Sequence, residues 1–178
     1  MATASKLPDP EPRRVPLEVY LHGSDWEPDA EYVDGAIEER PMGEYDHSAW
    51  QQAIATWFQR HADEWKIRVR PELRVQVSAT RFRVPDVTIL DRNRPPEPVI
   101  TYPPVAVFEI LSPEDRHARL MQKLRDYEAM GIPQIWVIDP NGPVTQRFHH
   151  GQLAPADLFD EPAHGIRFES SAIAALLD

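Results

Sequence analysis

Two short apolar runs, Val105-Ala-Val-Phe-Glu-Ile-Leu111 and Ile135-Trp-Val-Ile-Asp139, bracket a segment of helical periodicity, and this constrains the chain more than any other feature. Both faces of the first run are apolar, as a strand covered on its two sides requires. Ser112-Pro113-Glu114-Asp115 follows directly, with a hydroxyl for the N-cap, proline at the first helical position and an acid three residues on. The helix so started runs to about Met130 and stops at Gly131, with Pro133 beyond. Strand, helix and strand in this order belong to the α/β class.

The flanking sequence extends the pattern. Within Glu31–Arg40, Asp34-Gly35 lies between half-apolar segments and predicts a two-residue hairpin. Asp46 is placed to cap a helix in which Trp50, Ile54, Trp57, Phe58 and His61 share one face. Three strand-like runs come next, Lys66–Arg70, Leu73–Val77 and Arg81–Leu90. A hairpin around Arg147–Leu153 and a short helix over Ser171–Leu177 close the chain. The expected fold is α/β, a mixed β-sheet core flanked by helices with an N-terminal β-hairpin.

The 178 residues suit one domain over 17–178, preceded by a flexible proline-rich arm over 1–16. No apolar run approaches the roughly 20 residues that span a bilayer, and the first residues lack a signal-like apolar segment, so a cytoplasmic location is expected. With no cysteine, thiolate catalysis, disulfides and zinc knuckles are excluded, and a metal would have to use oxygen or imidazole ligands. Nineteen basic against 29 acidic side chains leave a net charge of −10, which argues against strong nonspecific binding to nucleic acid.

Three ionisable side chains occupy awkward positions. Glu109 stands among Val105, Val107 and Leu111 on its own face and Ala106, Phe108 and Ile110 on the other. A buried carboxylate costs several kcal/mol unless a cation accompanies it. Asp86 has the same difficulty inside Arg83-Val-Pro-Asp-Val-Thr-Ile-Leu90. Their separation of 23 positions fits a strand, a loop and a neighbouring strand, which would set the two acids side by side. Adjacent carboxylates repel unless a divalent ion joins them, and hard oxygens with a carbonyl such as that of Ile110 suit Mg²⁺ or Mn²⁺. Lys123 falls on the apolar face of its helix with Leu120, Leu124 and Tyr127. Either its stem packs on the core and its ammonium reaches water, or the ammonium lies over the two acids.

These residues resemble a family. Val84-Pro85-Asp86-Val87, Phe108-Glu109-Ile110-Leu111-Ser112, Lys123 with Tyr127, Gly131-Ile132-Pro133 and Trp136-Val-Ile-Asp139-Pro140 are similar to the Uma-two family of restriction endonucleases in the PD-(D/E)XK nuclease superfamily. Tyr32-Val-Asp34-Gly35 and the region of His47 resemble its N-terminal signature. The resemblance implies a restriction-endonuclease-like, four-stranded mixed core sheet, with Asp86, Glu109 and the Ile110 carbonyl as metal ligands. The superfamily places a lysine two residues after the glutamate, where this chain has Leu111; the Uma-like pattern supplies it from the next helix, at Lys123. Glu31 and His47 are the candidates for an accessory group from the first strand or helix. For His47 the alternative is a core histidine satisfied by the backbone.

The implied activity is metal-dependent hydrolysis of DNA phosphodiester bonds, with Lys123 positioning the nucleophile. Arg68, Arg70, Arg74, Arg81 and Arg83 precede Asp86 within 16 residues, and Arg74, Arg81 and Arg83 are the candidate DNA contacts. They could equally blunt sheet edges or pair with surface acids. Cutting both strands of a duplex calls for a homodimer. The other reading is a catalytically inactive nuclease-fold module for binding or assembly, which the acidic surface and Leu111 favour.

Overall fold

A computed structural model describes residues 14–40, 43–113, 117–142 and 145–177. Helix α1 (Leu17–His22) leads into strands β1 (Glu31–Val33) and β2 (Ala36–Glu38). Helix α2 (Tyr45–Arg60) follows, then strands β3 (Ile67–Pro71), β4 (Val75–Ser78), β5 (Arg81–Arg83), β6 (Val87–Asp91) and β7 (Ala106–Ile110). Helix α3 (His117–Met130) crosses to β8 (Gln134–Ile138), and β9 (Thr145–His149), β10 (Gln152–Pro155), β11 (Leu158–Glu161), β12 (Ile166–Glu169) and helix α4 (Ser171–Ala174) complete the order.

The large sheet runs β10-β9-β8-β7-β6-β3, with β7 and β8 parallel and the other pairs antiparallel. It is mixed, as expected, but six strands wide rather than four. Alternation along β7 separates its two faces. Ala106, Phe108 and Ile110 pack with Ile54 and Phe58 of α2, with Trp136, and with Phe159 and Ile166 of the β11–β12 hairpin. Val107 faces the other way, against Leu124 and Tyr127 of α3. Two apolar layers on opposite faces explain why β7 and β8 read as unbroken hydrophobic runs.

A second sheet, β2-β1-β5-β4, encloses Tyr20, Tyr32, Ile37 and Phe82. Its hairpin is the predicted one: Asp34 and Gly35 have φ of 50° and 95°, the positive pair that the two-residue turn demands. The expected strand Arg81–Leu90 is instead two strands in two sheets. Pro85, which has no N–H to donate, sits where the chain leaves β5 for β6.

Other boundaries move as well. Glu44, not Asp46, holds the N-cap position of α2, and Asp46 lies in the first turn. Gly131, at φ 92°, ends α3 as predicted. Of the proposed capping box, Glu114 and Asp115 fall outside the described residues. Of the proline-rich arm, 1–13 fall outside too, while Arg14 bridges Ala36 and the Val15 N–H donates to the Gly35 carbonyl. The β11–β12 hairpin and α1 were not anticipated. No helix among the described residues is long and apolar enough to cross a membrane.

Candidate active site

Glu109 lies one step along β7 from the buried Phe108 and Ile110 and shares the face of Val107, under α3. Its carboxylate would be stranded in hydrocarbon but for two side chains of that helix. Lys123 Nζ donates to Oε2 at 2.7 Å, and the Tyr127 hydroxyl, one turn on, donates to Oε1 at 2.6 Å. Lys123 does not snorkel. It is buried, and its ammonium also meets Glu31 Oε1 at 2.8 Å and the Val84 carbonyl at 3.1 Å.

Asp86 occupies the joint between the two sheets. Its Oδ2 accepts from the Ile110 N–H at 2.6 Å, so the aspartate is held against the residue that follows Glu109. Its Oδ1 is paired with the Arg40 guanidinium and lies 3.3 Å from His47 Nε2. Helix α2 therefore touches it through His47 and, four residues later, through Gln51, whose amide donates to the Asp86 carbonyl at 3.1 Å. Asp86, Glu109, Lys123, Glu31 and His47 all come together. His47 is no backbone-satisfied core residue; it faces a carboxylate.

The electrostatics separate the three acids that meet in this cluster, Glu31, Asp86 and Glu109. Burial opposes charge on Glu31, but Lys123, Arg83 and the Val84 N–H overcome it and hold the carboxyl at about 2. For Asp86 burial is likewise outweighed, by the His47 contact, Arg40 and Lys123, and its pKa is lowered. Glu109 is the exception. Burial, reinforced by Asp86 and Glu31, pushes it up to about 7 in spite of Lys123 and Arg40. The contact with Asp86 raises the pKa of His47. Burial works against the Lys123 charge, yet Glu109 and Glu31 raise its pKa, so it remains a cation.

Of the arginines expected to contact DNA, Arg83 is buried. Its guanidinium holds Asp126 at 2.8 and 2.7 Å, Glu31 at 2.9 Å and Glu38 at 3.2 Å, so no face is left for a ligand from outside. Arg81 grips Asp34 and Asp126. Arg74 lies over the Tyr20 ring at 4.5 Å and donates to the Pro28 carbonyl. Ion pairing and ring packing within the protein thus occupy all three.

A cavity with room for about 70 Å³ of solvent opens onto the cluster, lined by Glu31, Arg40, His47, Asp86, Glu109 and Lys123, with Glu38, Leu111 and Arg119 nearer its mouth. Arg40, Glu38 and Arg119 escaped the sequence reading. Arg119, four residues before Lys123, could have been found from helical spacing; Arg40, in an exposed-looking acidic stretch, gave no signal.

Among solved structures, the chain resembles a crystal structure described as a "putative nuclease belonging to DUF820 from Anabaena variabilis", at 21% identity over 92% of this chain and 99% of that one, with a TM-score of 0.79. A likeness at that identity establishes the shared fold. A chain of a DrdV–DNA complex aligns at 20% identity over 73% of this chain and 11% of its own length, with a TM-score of 0.39. No curated protein matches. The Uma2 family profile, described as "Putative restriction endonuclease", matches residues 17–167, and on that match the chain belongs to the Uma2 family.

Proposed function

We propose that this Uma2-family protein is a metal-dependent DNA endonuclease in which Asp86, Glu109 and Lys123 act together. The observation that carries the reading is the convergence of two adjacent buried carboxylates and a fixed ammonium on one open cavity. The donor chemistry fits a hard divalent ion. Asp86 and Glu109 offer oxygens beside the Ile110 main chain, and burial, the first cause of the elevated Glu109 pKa, leaves that carboxylate short of solvation that a bound cation would replace. Among the described residues no three His, Asp or Glu side chains form a ready metal shell. Two carboxylates, a carbonyl and water would then make up the shell, as suits Mg²⁺ or Mn²⁺.

When bound, such an ion supplies Lewis acidity and neutralises charge on a phosphate. Lys123, fixed between Glu31 and Glu109, orients the attacking water and stabilises charge developing on phosphoryl oxygens. Tyr127 keeps the Glu109 carboxylate in one rotamer, His47 and the Ile110 N–H do the same for Asp86, and Gln51 ties down the Asp86 main chain. Purified protein should nick plasmid DNA in Mg²⁺ or Mn²⁺, and Glu109→Ala should not; equal cutting by both removes the proposal. Cleavage of both strands would use a homodimer, checked by sedimentation with and without a duplex.

Two observations favour the catalytically inactive module instead. The Arg40 guanidinium already neutralises Asp86, and Leu111 stands in the superfamily's lysine position. That reading predicts no rise in melting temperature with Mn²⁺, whereas a site that binds only the folded chain must raise it.

A further inference from the structure

We infer that Arg119 is the residue that first engages the polyanionic backbone of the substrate, and that Glu38 holds it in place until the substrate arrives. The inference rests on the nuclease reading and names a contact that the reading lacks, since Arg74, Arg81 and Arg83 are occupied within the protein.

Among the described residues, five basic side chains line the cavity. Arg40, His47, Arg83 and Lys123 are each 12% exposed or less, and each is bound to an acid of the cluster. Arg119 is 45% exposed, so of the five it is the one a phosphate meets on approach from solvent. It stands one helical turn before Lys123 on α3, which aims both side chains toward the same opening. At rest it reaches Glu38 Oε2 at 3.3 Å and the Glu39 carbonyl at 3.4 Å. A solvent-exposed ion pair of this kind contributes little, so a phosphate can displace it. Releasing Arg119 does not strand Glu38, whose same oxygen is 3.2 Å from Arg83.

Binding of a short labelled duplex, with Ca²⁺ in place of Mg²⁺, tests this across a salt series. Arg119→Ala should weaken binding about tenfold at low salt, since a charge-assisted bond is lost and a weak one at rest is given up. It should also flatten the slope of log K against log salt by about 0.9, the signature of one phosphate contact. Arg119→Lys should keep the slope. Glu38→Gln should act in the opposite direction and tighten binding a few-fold, because it removes a competing anion. Arg167→Ala, an exposed arginine on β12 paired with Asp160, should leave the slope unchanged.

An unchanged slope and affinity in Arg119→Ala, or no duplex binding by the unaltered chain, overturns the inference. Plasmid nicking by the same proteins keeps the two ideas apart. Cutting with an unaltered slope defeats the Arg119 assignment alone, whereas an Arg119-dependent slope without cutting defeats the nuclease reading and leaves a nucleic-acid contact.

Discussion

Lys123→Met removes the central cation with little change in side-chain volume, and its cost should depend on pH in a way set by the two acids it serves. Glu31 is held at about 2 against an ordinary 4.5, an interaction worth about 3 kcal/mol that Lys123 shares with Arg83 and the Val84 N–H. Losing the lysine should forfeit about half of it at any pH where Glu31 is ionised. Glu109 behaves differently because its pKa is already raised to about 7. A carboxyl whose folded pKa exceeds its unfolded one erodes stability as pH rises from the unfolded value to the folded value, and no further.

Below pH 7, then, wild type and variant both carry the Glu109 proton, and removing Lys123 adds nothing through this residue. Above it, the wild type has ionised, whereas the variant, with a still higher pKa, continues to lose stability. The expected cost is about 3 kcal/mol near pH 8 and about half that near pH 5.5, within the range for a broken buried pair. Urea unfolding followed by tryptophan fluorescence reads this directly, since Trp65 and Trp136 are buried. Lys123→Met combined with Glu109→Gln should recover the part that depends on pH. An equal loss at both pH values, or none at either, refutes the coupling.

Three further outcomes follow from the same contacts. The His47 ring should titrate by NMR above the usual 6.5, and Asp86→Asn should bring it down; a wild-type midpoint at or below 6.5 contradicts the assigned contact. Phe58, fully buried among Trp65, Phe108, Phe159 and Phe168, should cost about 3–5 kcal/mol when cut to alanine, and a loss under about 1 kcal/mol would mean that the aromatic cluster is not the core. Gly35→Ala should lower stability by about 1 kcal/mol through its backbone alone, because φ is 95° and an added Cβ would meet nothing within 4 Å; Gly35→Asn should cost less, and equal costs would count against the turn geometry.

What was legible in the sequence had a local cause. The β7-α3-β8 unit announces itself through apolar runs and a glycine stop, and the first hairpin through Asp34-Gly35. Glu109, Asp86 and Lys123 were conspicuous because charge sat where the periodicity wanted hydrocarbon. The four-stranded sheet and the continuous strand Arg81–Leu90 failed for a different reason. Pairing between strands distant in sequence leaves no mark on either, and a proline inside an apolar run looks the same whether it kinks one strand or ends it. For the arginines it was the alternative of pairing with acids that the structure shows, at Arg81 and Arg83. Arg74, Arg81 and Arg83 looked available for a partner because nothing in a strand's own residues shows which acid will face it, and Asp126, the acid that anchors both Arg81 and Arg83, lies over 40 positions away.

Because Asp86 sits where the chain passes from one sheet into the other, the N-terminal hairpin forms a wall of the cavity. Glu31, Glu38 and Arg40 all come from that hairpin or its edge, while Glu109 and Lys123 belong to the larger layer. A minimal fragment cut to begin at α2 would keep both proposed metal ligands and lose Arg40, the guanidinium paired with Asp86, and Glu31, the second carboxylate that holds Lys123. The smallest working version of this protein must therefore retain both sheets.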